Sequence, residues 1–128
     1  MDVGIIITGH GTLASGILSA LDMVVGDDRK AIAIDFTLSD NFDDLDNKYL
    51  EAYDKLSNCD YILVLSDIEG GTPFSRAYLT LKDKTNVRFI SGVNFHMAYQ
   101  ALNLSADDID SLVEKTIAKT KDYILEYK

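Results

Sequence analysis

The sequence predicts one α/β domain over residues 1–128: a doubly wound, mainly parallel sheet of order 2-1-3-4 with helices on both faces. Three observations carry this reading. Four short runs rich in Val and Ile, at 3–8, 30–36, 61–66 and 86–91, show little polar alternation, as strands covered on both faces do. Segments of helical spacing separate them, and that alternation implies right-handed crossovers. Turn sequences follow the first, third and fourth runs, at the carboxyl ends where open α/β sheets build their sites.

The elements follow in order. Val3 to Thr8 is the first strand, closed by Gly9-His10-Gly11. From Thr12 onward a helix is expected, with Leu13, Ile17, Leu18, Leu21, Val24 and Val25 at helical spacing and Gly26 as its C-cap. Lys30 to Phe36 is the second strand. The next helix, Asn41 to Ser57, carries Phe42, Leu45, Tyr49, Leu50, Tyr53 and Leu56 on one side, and Asp43 and Asp44 in its first turn suit the positive end of the helix dipole. After the third strand, Tyr61 to Ser66, Pro73 stands where a first helical turn tolerates it, and that helix reaches about Leu81. Asn86 to Ser91 is the fourth strand, and Asn94 to Leu102 a short helix. Ser105 begins a long final helix with Asp107 and Asp108 in its first turn. Its apolar stripe is Leu112, Val113, Thr116, Ile117, Thr120 and Ile124, and the spacing continues from Lys121 to Tyr127.

Composition narrows the function. No apolar run approaches the roughly 20 residues of a membrane span. The start, Met1-Asp2-Val3-Gly4, lacks the basic and apolar regions of a signal peptide, so a cytoplasmic protein is expected. Cys59 is the sole cysteine, which excludes an internal disulfide and a cysteine-built metal site. A net charge of −9 argues against nucleic acid and anionic membranes as partners and permits steering of a basic protein. The same charge also serves solubility.

The chemistry gathers at the strand ends. His10 lies between two glycines at a strand-to-helix junction, where free N–H groups and the helix dipole favour an anion. The third strand ends at Ser66-Asp67, followed by Ile68-Glu69-Gly70-Gly71-Thr72-Pro73-Phe74. In a 2-1-3-4 sheet the order reverses between strands 1 and 3, so His10 and Asp67 face each other. A carboxylate there accepts the proton of one ring nitrogen, fixes the tautomer and leaves the other nitrogen free to attack. Gly11, Gly70, Gly71 and Thr72 are the candidate positions for binding a phosphoryl group. Taken singly, each feature has a plainer reading: a structural histidine, an aspartate closing a turn, a loop. His96 reads as a residue of a helix start near the site rim, and Cys59 as inert.

Three motifs in this order resemble one family. Thr8-Gly9-His10-Gly11, then Ser66-Asp67 with Gly70-Gly71-Thr72-Pro73-Phe74, then Ser91-Gly92-Val93-Asn94 are similar to the enzyme IIA component of the mannose-type bacterial sugar phosphotransferase system, over nearly the whole chain. The resemblance implies a phosphotransferase component that works without cofactor or metal. His10 would take a phosphoryl group from the carrier protein HPr and pass it to a IIB component. Asp67 would hold the imidazole, and Thr72 with nearby amides would bind phosphoryl oxygens. It further implies a homodimer, with the sugar handled by the membrane components IIC and IID. Two features depart from the family's pattern. His96 stands in a segment where relatives often carry proline, and Lys121 to Tyr127 continues the helical spacing where relatives commonly end in a strand exchanged between subunits, which leaves that exchange open here. Thr8-Gly9-His10-Gly11 with Ala14-Ser15-Gly16 and Ala33-Ile34-Asp35-Phe36 looks most like branches serving N-acetylgalactosamine or galactosamine. Oligosaccharide and hexose branches stay open.

Other readings use the same histidine. A IIA-like carrier for dihydroxyacetone phosphorylation would have a different acceptor, and a regulatory dimer would have none. A small tetrapyrrole cobaltochelatase also places Gly-His-Gly after its first strand. It would need His96 as a second ligand facing His10, and it gives no reason for Asp67 and Gly70-Gly71-Thr72.

Overall fold

The expected architecture is present. A computed structural model describes residues 1–27 and 30–128. The elements are β1 (Val3–His10), α1 (Leu13–Val25), β2 (Ala31–Phe36), α2 (Phe42–Lys55), β3 (Tyr61–Ser66), α3 (Thr72–Leu81), β4 (Val87–Ser91), α4 (Phe95–Asn103) and α5 (Ile109–Asp122). The sheet order is β2-β1-β3-β4, with each neighbouring pair parallel.

Handedness decides where the helices go. The chain steps outward from β1 to β2, then returns across the sheet to β3 and β4. Right-handed crossovers in opposite directions require opposite faces. Accordingly α1, α4 and α5 cover Ile5, Ile7, Leu63 and Leu65. Helices α2 and α3 cover Ile6, Ile62 and Val64 on the other face. Successive side chains of the central strands feed both layers, which is why those strands read as unbroken apolar runs.

Two elements differ most from expectation. β1 runs two residues beyond Thr8, because Gly9 and His10 keep pairing with Asp35 and Phe36 of β2. The final helix is shorter at both ends. Asp108 is its N-cap, accepting from the Ser111 amide at 2.7 Å, so Asp107 and Asp108 precede the helix and the acid of its first turn is Asp110. It stops at Asp122, so the helical spacing expected from Lys121 to Tyr127 is followed only through Asp122. Thr120 is its last buried residue, and Ile124 and Tyr127 are 83% and 90% exposed. Beyond Tyr123 the chain is largely exposed, without the tertiary support most protein helices rely on.

Leu65 is fully buried in a central strand. Leu65→Ala should cost about 2–5 kcal/mol in a denaturant titration. Met23→Ala, on the exposed end of α1, should stay within about 0.5 kcal/mol of the parent.

Candidate functional site

His10 is the last residue of β1, and Asp67 is the first residue after β3 on the neighbouring strand. Thr8 pairs with Ser66, so Gly9 comes level with Asp67. A Cβ on Gly9 would lie 3.2 Å from the Asp67 carboxyl and 3.2 Å from Leu13 Cδ2. Glycine at this position leaves the carboxylate room to reach His10.

One carboxylate oxygen holds the histidine twice. Asp67 Oδ2 accepts from the His10 backbone N–H at 2.9 Å and lies 2.8 Å from ring Nδ1. Oδ1 accepts from the Ile68 amide at 2.9 Å. Burial pushes the Asp67 carboxyl up, and the hydrogen bonds from the His10 amide, the His10 ring and the Ile68 amide outweigh it, leaving the group below its ordinary value. An ionised carboxylate can only accept, so the ring proton belongs on Nδ1. Nε2 then carries the lone pair, on a side chain that is half exposed. The expected pairing of His10 with Asp67 is present, with an extra hydrogen bond through the backbone.

The loop 67–71 places the start of α3 against the ring. Gly70 has φ +82°, the left-handed conformation that favours glycine. A Cβ on Gly71 would lie 2.8 Å from His10 Cε1 and 2.9 Å from Ile68 Cγ2. Gly71 is therefore the gap into which the imidazole fits. It is also the N-cap of α3 and carries no capping side chain. The Ser75 amide bonds back to Gly71 and Pro73 has no N–H, so Thr72 and Phe74 hold the helix's open donors.

Two expected donors are otherwise engaged. The Gly11 amide donates to the Phe36 carbonyl at 2.7 Å, and the Gly71 amide to the Ile68 carbonyl at 3.2 Å. Backbone pairing takes both N–H groups, so neither is offered to a phosphoryl group in this arrangement. Gly70 and Thr72 sit where expected, in the loop and at the start of α3.

The third motif supports the site from below. Gly92 turns at φ +91°, Val93 donates to the Ser66 carbonyl at 2.9 Å, and Asn94 caps α4 by accepting from the Met97 amide at 2.8 Å. His96 lies in α4's first turn, stacked on Tyr123 with centroids 4.4 Å apart and planes 11° apart. Its ring contacts are with Phe95 and Tyr123, so the chelatase reading lacks its facing second ligand. Among the described residues no group of three His, Cys, Asp or Glu side chains is disposed to hold a metal ion.

Three contributors escaped the sequence reading. Asp35, at the end of β2, accepts from the Ser15 amide at 2.9 Å and the Ser15 hydroxyl at 2.6 Å, capping α1 from another strand. A carboxylate near the end of an apolar strand was the available signal. Leu38 is fully exposed on a loop beside His10, in a cleft lined by Phe36, Thr37 and Leu38. That loop is braced by Asp40, which accepts from the Thr37 amide at 2.7 Å and from Lys48 at 3.2 Å. Tyr49 lies beneath the site, and an apolar helical stripe disguised its hydroxyl.

The four-stranded parallel sheet thus sets a histidine–aspartate pair at its switch point, with an uncapped helix start beside the ring. The chain belongs to the mannose-type IIA family of the phosphotransferase system: the family model described as "PTS system fructose IIA component" matches residues 4–117. It is 31% identical over its whole length to the mannose-specific EIIAB component of Escherichia coli K12, of which it spans 40%. It is 28% identical over 102 residues to the fructose-specific EIIA component of Bacillus subtilis, covering 80% of this chain and 70% of that protein. Among solved structures, the phosphotransferase component EIIA of Streptococcus agalactiae superposes with a TM-score of 0.82 at 28% identity, covering 97% of this chain and 96% of the other. Among the described residues no helix is long and apolar enough to cross a membrane.

Gly71→Ala should drive the His10 ring off its position and break its bond to Asp67. The check is the ring ¹⁵N spectrum. A folded variant should lose the Nδ1-protonated signature that the parent shows, and an unchanged tautomer would mean the loop has slack.

Proposed function

We propose that the protein is a phosphoryl carrier of a bacterial sugar phosphotransferase system, accepting a phosphoryl group on His10 Nε2 and passing it on. The observation that carries this is the single Asp67 oxygen bonded to both the backbone and the ring of His10. As Nε2 attacks, a new N–P bond forms and the donor's bond to phosphorus breaks. The imidazole gains positive character while its proton stays on Nδ1, facing an ionised carboxylate that stabilises it. The developing charge on the phosphoryl oxygens meets Thr72 and the open end of α3. Gly70 lets the loop backbone come close.

The donor is the carrier protein HPr and the acceptor a IIB component, with IIC and IID reached only through it. The half-exposed His10 side chain leaves the site open to protein partners, and a net charge of −9 permits steering of a basic one, in an exchange that we assign to the cytoplasm. Neither nucleic acid nor a cofactor enters the reaction. The sugar we favour is N-acetylgalactosamine or galactosamine. Ala14-Ser15-Gly16 and the strand bearing Asp35, which suggest that branch, meet at the capped start of α1. Uptake assays with N-acetylgalactosamine, mannose and fructose decide among the sugars.

The chain also pairs as a homodimer in this proposal. The apolar stripe expected to continue along the last helix is instead a short exposed tail, with Ile124, Leu125 and Tyr127 beside a groove between β4 and α5. Among the described residues β4 is an edge strand with one side unpaired. An exposed apolar tail next to an open edge is the kind of liability that a second subunit covers.

Incubation with phosphoenolpyruvate, enzyme I and HPr should leave one acid-labile, base-stable phosphate per chain, absent from His10→Ala. Retention of label in that variant, with loss in His96→Ala, would overturn the assignment. Asp67→Asn should slow transfer roughly 10- to 100-fold without unfolding the chain, because a charge-assisted hydrogen bond is lost.

Light scattering should return twice the chain mass at micromolar concentration. Phosphorylation by HPr should slow as salt screens the encounter. A monomer refutes the dimer, and a salt-insensitive rate refutes electrostatic steering.

A further inference from the structure

We propose that Tyr49 is a positioning residue for phosphoryl transfer, because its hydroxyl ties the first turn of α3 to β1 two residues below His10. This rests on the phosphocarrier reading and extends it to a residue outside the histidine–aspartate pair. Tyr49 is fully buried in the layer between α2, α3 and the sheet, among Leu45, Ala52 and Ala77. Phenylalanine would fill that space equally well, so the hydroxyl needs its own explanation. It has two partners from two different elements. It donates to the Pro73 carbonyl of α3 at 3.0 Å and lies 2.8 Å from Thr8 Oγ1 of β1. Thr8 Oγ1 is also 3.0 Å from the Ile34 carbonyl of β2.

Two hydroxyl protons serve these three contacts. When Thr8 donates to the Tyr49 oxygen and Tyr49 donates to Pro73, the link runs unbroken from β1 through α2 to α3. Side chains of a strand alternate, so Thr8 and His10 share a face, and the link joins that face directly beneath the imidazole. At its far end Pro73 stands between Thr72 and Phe74, the two residues with open amides at the start of α3. Holding the Pro73 carbonyl therefore holds both donors. The separation is tight, since even one added carbon at Gly71 would come within 2.8 Å of the His10 ring. A displacement of about one ångström in such a site can cost orders of magnitude in rate. Burial pushes the phenol well above its ordinary value, so the donor stays protonated.

The test uses single-turnover phosphorylation by phospho-HPr, read as rate against HPr concentration. Tyr49→Phe should lower the limiting rate roughly 3- to 10-fold, the size expected of one lost hydrogen bond. The HPr concentration at half-maximal rate should not change, since Tyr49 touches no surface. Thr8→Val should slow the limiting rate comparably, Thr8→Ser should restore it, and the double variant Tyr49→Phe/Thr8→Val should be no slower than the worse single one. Amide hydrogen exchange at Ser75, whose N–H bonds back to the Gly71 carbonyl in the first turn of α3, should accelerate in Tyr49→Phe, while the His10 ¹⁵N tautomer signature persists. Leu45→Val in the same layer controls for general loosening. A limiting rate in Tyr49→Phe equal to the parent's, or no lower than that of an equally destabilised Leu45→Val, would overturn the proposal. So would additive effects of the two hydroxyl deletions. Failure of the parent itself to take label on His10 would instead refute the phosphocarrier reading.

Discussion

Asp67 Oδ2 is the atom on which the site depends. By accepting from both the amide and the ring of His10, it makes one oxygen responsible for the position and the tautomer of the imidazole. A histidine on a half-exposed side chain has little packing to restrain it. The carboxylate supplies that restraint with two bonds about as short as charge assistance makes them. The second oxygen, bonded to the Ile68 amide, keeps the carboxylate from rotating away. The same ionised carboxylate favours positive charge on the ring it faces, so geometry and electrostatics are not separable here.

That carboxylate reaches the histidine only because of the strand order. β1 and β3 are neighbours, yet the chain visits β2 between them and returns on the opposite face. The reversal parts the helices at the carboxyl edge of the sheet and leaves a crevice there. Small residues finish the fit. Gly9 clears the path for Asp67, and Gly71 leaves the space that the imidazole fills. In both cases the requirement is close approach, and the backbone angles at Gly71 are ones that any residue can adopt.

The surroundings divide into a firm base and an open rim. Beneath the site, the cap of α1 by Asp35, the Tyr49 hydroxyl and the turn at Gly92 each connect elements far apart in sequence. Above it, Leu38 stands out on a loop held by Asp40, and the ring of His10 meets Phe36 edge-on at 6.1 Å. On that side little encloses the imidazole, which is half exposed.

The four strands, their neighbours and the pairing of His10 with Asp67 were legible in the sequence. Each rests on local signals: β-branched runs, helical spacing, glycines and a proline at fixed offsets. Handedness turns those signals into one topology. The end of α5 was not legible, because the spacing of Lys121 to Tyr127 is helical, whereas Ile124, Leu125 and Tyr127 find no burial and the helix ends at Asp122. Gly11 and Gly71 looked like amide donors, whereas long-range pairing with Phe36 and the turn at Ile68 engage their N–H groups. Tyr49 is the sharpest case. Its place in an apolar stripe determined that it would be buried, but its hydroxyl's partners lie on β1 and α3, 41 and 24 residues away. The sequence by itself determined which residues face the sheet and which groups can do chemistry, since periodicity and side-chain type are local properties. Only the tertiary structure decided which donors remain free and which are engaged, because hydrogen-bond partners are set by elements that meet in space.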